Sequence, residues 1–171
     1  MCIIIAKASG ASLPPRQILE KCARRNPHGC GFATAGKVCH SLDFERFYKR
    51  LVKETADGKA AIIHFRYATH GSVRTGNCHP FRDKETGVSF AHNGVLSILP
   101  YRDMTDSETA FRGLYVPKIR QFGLDSEQLR NSVASTIGPS RFAFLSPDGE
   151  IRLFGNFFEF GGCMYSNMNF M

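Results

Sequence analysis

The sequence predicts an α+β protein made of two mainly antiparallel sheets packed together, with helices outside them. Three observations carry this. Apolar runs of strand length come in sets joined by short turns, helical patterns come in pairs between those sets, and the regular βαβ alternation of a doubly wound sheet is missing. At 171 residues the chain suffices for one domain with its own core and is too short for two comfortable ones. Residues 1–171 are therefore expected to form a single domain.

The elements follow in order. CIIIAK at 2–7 reads as a buried strand, and Ser12-Leu13-Pro14-Pro15 as a helix start with the prolines in the first turn, followed by Ile18, Leu19, Cys22 and Ala23 on one face. GCGFATAGKVCH is expected to be a short hairpin about Ala35-Gly36. DFERFYKRLVKETADG places Phe44, Phe47, Tyr48, Leu51 and Val52 at i, i+3, i+4, i+7 and i+8, which predicts an amphipathic helix ending at Asp57-Gly58. KAAIIHFRYATHG is a strand whose apolar run Ala60 to Ile63 calls for cover on both faces, and GVSFAHNG is another.

After DSE, the residues Ala110, Phe111, Leu114 and Tyr115 predict a helix that Pro117 interrupts or kinks. SEQLRNSVASTIGP is a further helix, capped by Ser126 and stopped at Gly138-Pro139. RFAFLSPDGEIRLFG reads as a hairpin around Ser-Pro-Asp-Gly, and one last strand is expected near FFEFGGCMYSN.

Composition narrows the function classes. With 43% hydrophobic and 22% charged residues the chain has the make-up of a soluble globular protein. It contains no apolar stretch of about 20 residues and no basic, signal-like start, so a cytoplasmic protein without membrane contact is expected. The six cysteines are expected to be reduced thiols. No CxxC pair exists, so neither a zinc site nor any other metal or cofactor is expected. The net charge of +7 is spread along the chain without a nucleic-acid motif, which argues for a solvated basic surface rather than a nucleic-acid partner.

Polar residues gather at HFRYATHGS (64–72), AHNG (91–94) and TDSE (105–108), each at a strand end or helix start. Arg66, inside its strand between Phe65 and Tyr67, points away from those apolar neighbours. It either faces solvent or a salt bridge, or it grips a carboxylate with its planar fork. Asn93-Gly94 is an ordinary hairpin turn or a side-chain amide beside a backbone N–H, the components of an oxyanion hole. Asp106 is a helix N-cap or the anchor of an ammonium group. Cys2 is either a buried strand thiol or, once an aminopeptidase removes Met1, a thiol with a free α-amine on the same residue.

Cys2, RYATHG (66–71), NCHP (77–80), HNG (92–94) and DSE (106–108) together resemble the class II glutamine amidotransferase domain, a family of N-terminal-nucleophile hydrolases, over almost the whole chain. The resemblance implies a four-layer αββα sandwich. It also implies Cys2 as the nucleophile that forms a γ-glutamyl thioester with its own α-amine as base. Asn93 and Gly94 are then the oxyanion hole, Arg66 and Asp106 the clamps on the α-carboxylate and α-ammonium of L-glutamine, and Thr69 and His70 the pocket wall. Arg25, in RNPHGCG, and His79 are expected around the site, His79 in a structural position. The sequence departs from the family at Ile3, where Gly is usual, and at Asn26 and His28.

The family role implies hydrolysis of glutamine to glutamate and ammonia; no synthase domain is expected on this chain, so either a separate synthetase subunit takes the ammonia or the chain is an uncoupled glutaminase. Two alternatives remain: an N-terminal-nucleophile amidase acting on another γ-glutamyl or amino-acid amide, and a non-catalytic scaffold that retains the fold.

Overall fold

The computed structural model of the chain describes residues 1–68 and 72–171. Sequence patterns of period 2 and period 3.6 sort the apolar residues into three layers of core, and these layers define the architecture. In β1 (Ile3–Lys7) the side chains of Ile3 and Ile5 face one way and Ile4 the other. Ile3 and Ile5 pack with β2 (Cys30–Thr34), β4 (Ala61–Phe65) and the apolar stripes of α1 (Arg16–Arg25) and α2 (Phe44–Thr55). Ile4 instead joins Ala33, Ile62, Ala91, Ala143 and Leu145 in a layer between two sheets. Four alanines, counting Ala60, lie in that layer, and their small side chains let the sheets approach.

The first sheet has the order β3-β2-β4-β1-β10-β9, with β3 at Lys37–Ser41, β9 at Phe158–Phe160 and β10 at Cys163–Tyr165. The second has the order β5-β6-β7-β8, with β5 at Phe81–Arg82, β6 at Ser89–Asn93, β7 at Arg141–Leu145 and β8 at Ile151–Phe154. Every pairing is antiparallel. The outer face of the second sheet, through Phe90, Phe142 and Phe144, packs against α3 (Asp106–Ala110), α4 (Val116–Phe122) and α5 (Glu127–Ile137). The result is helices, sheet, sheet, helices, the expected α+β sandwich. Among the described residues no helix is long and apolar enough to cross a membrane, and all six cysteines are unpaired.

Several details differ from the sequence reading. Pro14 and Pro15 precede α1, with Pro15 at its cap position. Val52 is 41% exposed, on the solvent edge of the α2 stripe. The last strand is two, β9 and β10, folded about Gly161-Gly162, with β10 paired to β1. Pro117 does not break its helix. A π-helical turn over Phe111–Tyr115 joins α3 to α4, and Pro117 falls in the first turn of α4 directly after it. Leu114, expected on the buried face, is 37% exposed. The two-residue β5 is too short to show a period.

Candidate active site

The two sheets bring four distant parts of the chain to one end of the sandwich. Ile3 at the start of β1 pairs with Phe65 at the end of β4, so Cys2 and Arg66 lie side by side just beyond their strands. β6 ends at Asn93, and α3 begins at Asp106. Cys2, Arg66, Gly94 and Asp106 all line one cavity of about 520 Å³.

Alternation sets which way each residue faces. Cys2 shares the parity of Ile4, whose side chain lies between the sheets. Asn93 shares the parity of Ala91, also between the sheets. They therefore approach the same inter-sheet space from opposite sides. Arg66, one residue past the end of β4 rather than inside it, turns away from Phe65, which belongs to the helix-side core.

Cys2 is partly buried. Its thiol donates to the Tyr67 carbonyl at 3.4 Å and accepts from the Tyr67 N–H at 3.2 Å. Burial pushes this thiol above its ordinary range, while the Tyr67 contact, the amino terminus and the Arg66 guanidinium pull it back. At neutral pH the sulfur is therefore protonated, and attack by it needs a base. Burial pushes the Cys78 thiol up to about 11 and the Cys22 thiol up to about 12.

Arg66 is 5% exposed and donates through Nη1 to the Ser72 carbonyl at 3.0 Å. Its backbone continues the β-type pairing irregularly, with Arg66 N–H to Gly29 O at 2.8 Å and His28 N–H to Arg66 O at 3.0 Å. His28, at one of the positions where the sequence departs from the family pattern, accepts the Ala68 N–H on Nδ1 at 2.8 Å. That bond ties down the segment leaving Arg66.

Asp106 is not the helix cap. Thr105 holds that position and accepts from Glu108 N–H at 3.1 Å. Asp106 instead accepts from Leu96 N–H on Oδ2 at 3.0 Å and from Ser107 N–H on Oδ1 at 2.7 Å. The carboxylate is thus fixed at the cavity wall by backbone donors. Ser107 also hydrogen-bonds His92 Nδ1 at 2.7 Å.

Asn93-Gly94 is no tight hairpin, since β6 is flanked by β5 and β7 and the chain runs on to α3. Gly94 has φ of +142°, and a Cβ there would run into Ser140, so a residue without a side chain is required. The Asn93 side chain lies fully buried beside the cavity, not on its wall. Its Nδ2 donates to Ser166 Oγ at 2.8 Å, which leaves the second N–H of the amide. Its Oδ1 is buried without a hydrogen-bond partner among the described residues.

His79 lines the cavity and meets His64, Nδ1 to Nε2, at 3.3 Å. Burial holds His64 down to about 3 and His92 down to about 4, with the Asp106 charge opposing the latter, and it holds His79 well below the usual imidazole range. These three rings are neutral. Close approach of the NCHP segment to β2 depends on Gly31, where a Cβ would collide with the His79 carbonyl. Arg25 is exposed and reaches the Met171 carbonyl at 3.4 Å, outside the cavity wall. Thr69 and His70 lie outside the described residues. Among the described residues no cluster of three His, Cys, Asp or Glu is placed to hold a metal ion.

Residues that the sequence reading did not single out for a role also contribute. Arg74 and Asn77 line the cavity, and Arg74 donates to Asn77 Oδ1 at 3.2 Å and to the Asp103 carbonyl at 3.0 Å, joining two segments of its wall. Ser166 and Asn167 bond to Asn93 and to the Cys2 carbonyl.

The fold, two antiparallel sheets between helical layers with a cavity at the strand ends, recurs in solved structures. The glutamine phosphoribosylpyrophosphate amidotransferase of B. subtilis, solved with ADP and GMP, superposes with a TM-score of 0.58 at 18% identity, over 96% of this chain and 41% of that one. A structure described as the allosteric regulatory enzyme of purine biosynthesis superposes with a TM-score of 0.61 at 19% identity and the same coverage.

The model of the class-II glutamine amidotransferases matches residues 44–137, and the chain belongs to that family. The matched stretch contains Arg66, Asn93, Gly94 and Asp106 and begins after Cys2. Among curated proteins, the glutamine–fructose-6-phosphate aminotransferase (isomerizing) of Methanococcus maripaludis is 33% identical over 89 residues, 46% of this chain and 14% of that protein. That of Acidithiobacillus ferridurans is 32% identical over 107 residues, 56% of this chain and 17% of that protein. The chain thus matches only a small part of the length of these relatives.

Proposed function

We propose that the chain is a single glutaminase-type domain that hydrolyses the side-chain amide of L-glutamine to glutamate and ammonia through a thioester on Cys2. The observation that carries this reading is the shared cavity of Cys2, Arg66, Gly94 and Asp106, which come from four separate places in a chain of this family.

The reaction runs as follows. Removal of Met1 converts the Cys2 nitrogen from an amide to an amine, whose pKa of roughly 7.7–8.0 suits it to take the thiol proton. Sulfur attacks the amide carbon, and the negative oxygen is met by the Gly94 N–H and the unspent N–H of Asn93. The protonated amine then gives its proton to the leaving nitrogen, which departs as ammonia. Water, deprotonated by the same amine, cleaves the thioester and releases glutamate. Arg66 pairs with the α-carboxylate and Asp106 with the α-ammonium, so the two opposite charges on the cavity lining select an amino acid. The ammonia goes to an acceptor site on a separate subunit.

The test is ammonia release from L-glutamine by protein whose Met1 status is known from intact mass. Activity in the processed wild type, and its loss in Cys2→Ala and in protein that retains Met1, is the expected result. Unchanged release by Cys2→Ala would refute the thioester.

A further inference from the structure

Residues 166 and 167 follow β10, and each reaches a group on which the proposed reaction depends. Ser166 pairs with β1 on two sides: its N–H donates to Ile4 O at 2.9 Å and its Oγ accepts from Ile4 N–H at 2.9 Å. The same Oγ accepts from Asn93 Nδ2 at 2.8 Å. Asn167 Nδ2 donates to the Cys2 carbonyl at 2.8 Å, while its Oδ1 accepts from Asn169 N–H at 3.1 Å, which keeps the amide in one orientation.

We propose that Ser166 and Asn167 are positioning residues, Ser166 for the amide of Asn93 and Asn167 for the backbone of Cys2; this rests on the roles given to Cys2 and Asn93 above. Both side chains are buried, Ser166 completely, and their hydrogen bonds go to other residues of the protein, through which they act on the site. Burying a hydroxyl and an amide in a core costs free energy unless their bonds are made. Here those bonds go to the two groups whose orientation matters most for the chemistry.

The case for Asn167 is sharpened by the chemistry of a first residue. With Met1 gone, no peptide bond precedes Cys2, and terminal residues fray unless tied down. Among the described residues, the ties on Cys2 itself are the thiol contacts with Tyr67 and the carbonyl contact with Asn167. When sulfur leaves Tyr67 to attack, the carbonyl bond still holds the residue. Ser166 does the equivalent for Asn93. By taking one N–H of the amide it sets the direction of the other, and because Ser166 is itself anchored to Ile4, that direction is referred to the strand that carries the nucleophile.

The experiment uses the full chain and two readouts: steady-state ammonia release, and the rate at which iodoacetamide labels Cys2, located by mass spectrometry. Misplacement of reacting groups costs on the order of 10²-fold in turnover. Ser166→Ala is expected to lower kcat by about that factor with KM within about twofold, and to leave Cys2 labelling as in the wild type. Asn167→Ala is expected to lower kcat similarly while Cys2, loosened, labels faster. A purely structural role would lower Tm and leave kcat of the folded protein alone. If an alanine variant does not fold, Ser166→Cys and Asn167→Asp keep the volume and remove the strong hydroxyl or the donor. Folded variants with wild-type kcat overturn the proposal. If the wild type releases no ammonia, the glutamine reading falls, and labelling still decides the Asn167 role: an unchanged rate in Asn167→Ala overturns it.

Discussion

The Cys2 thiol and the Tyr67 peptide unit hold each other from both sides, sulfur donating to the carbonyl at 3.4 Å and accepting from the N–H at 3.2 Å. Sulfur is thereby kept in place as a thiol beside the cavity, and burial raises its pKa. Protein that retains Met1 is expected to alkylate at Cys2 with a midpoint above that of an ordinary thiol. Processed protein should label severalfold faster at pH 7.5, because the adjacent amine becomes a base. Rates of iodoacetamide labelling across pH, with and without Met1, check this, and identical profiles would contradict it.

Thr105 and Asp106 divide two jobs that a single residue at a helix start often combines. Thr105→Ala should cost about 1 kcal/mol of stability through the lost cap and leave glutamine turnover nearly unchanged. Asp106→Asn should keep most of the stability, since one amide oxygen can still accept one of the two backbone donors, while kcat/KM for glutamine falls at least about tenfold through the lost charge partner. Equal kinetics in the two variants would remove the ammonium clamp. Arg66→Lys should also lose activity, because a point charge cannot reproduce the planar fork.

Asn93→Ala should lower kcat by about 10²–10³ with little change in KM, the range for removal of one oxyanion donor. A change in KM alone would place Asn93 in substrate binding instead.

His64 and His92 make the fold sensitive to acid. Their folded pKa values, about 3 and about 4, lie below the ordinary 6.5, so the unfolded chain binds protons that the folded one refuses. Stability is complete above about pH 6.5 and declines as pH falls toward 4, by on the order of 2 kcal/mol for each of these imidazoles at pH 5. Urea midpoints measured between pH 7.5 and 5 should fall steadily, and a flat profile would falsify this assignment.

What could be read from the sequence was local. The stripe Phe47 and Leu51, the hairpin β7 and β8, and the cap at Ser126 all announce themselves within a dozen residues, and the structure has them. Cys2, Arg66, Gly94 and Asp106 were found through their short motifs, and they share a cavity. Ser166 and Asn167 carry no such mark, because their meaning lies in partners more than 70 positions away. The exchange of Thr105 for Asp106 as cap has a simple reason: both residue types cap well, and here the Asp106 carboxylate is taken by the Leu96 and Ser107 N–H groups. The π turn over Phe111–Tyr115 sits directly before Val116-Pro117, and no period in the sequence encodes it.

The placement of β10 beside β1 has a consequence for synthesis. Hydrogen bonds from the residues just after β10 to the start of the chain join residues 162 and 165 positions apart, and such contacts form late because the closure of long loops delays them. A growing chain would therefore expose a Cys2 that has lost its methionine well before Asn167 exists to hold its carbonyl. Under the proposed reaction the nascent thiol would be present but unarmed, and competence would arrive only once residues 163–167 have cleared the ribosome.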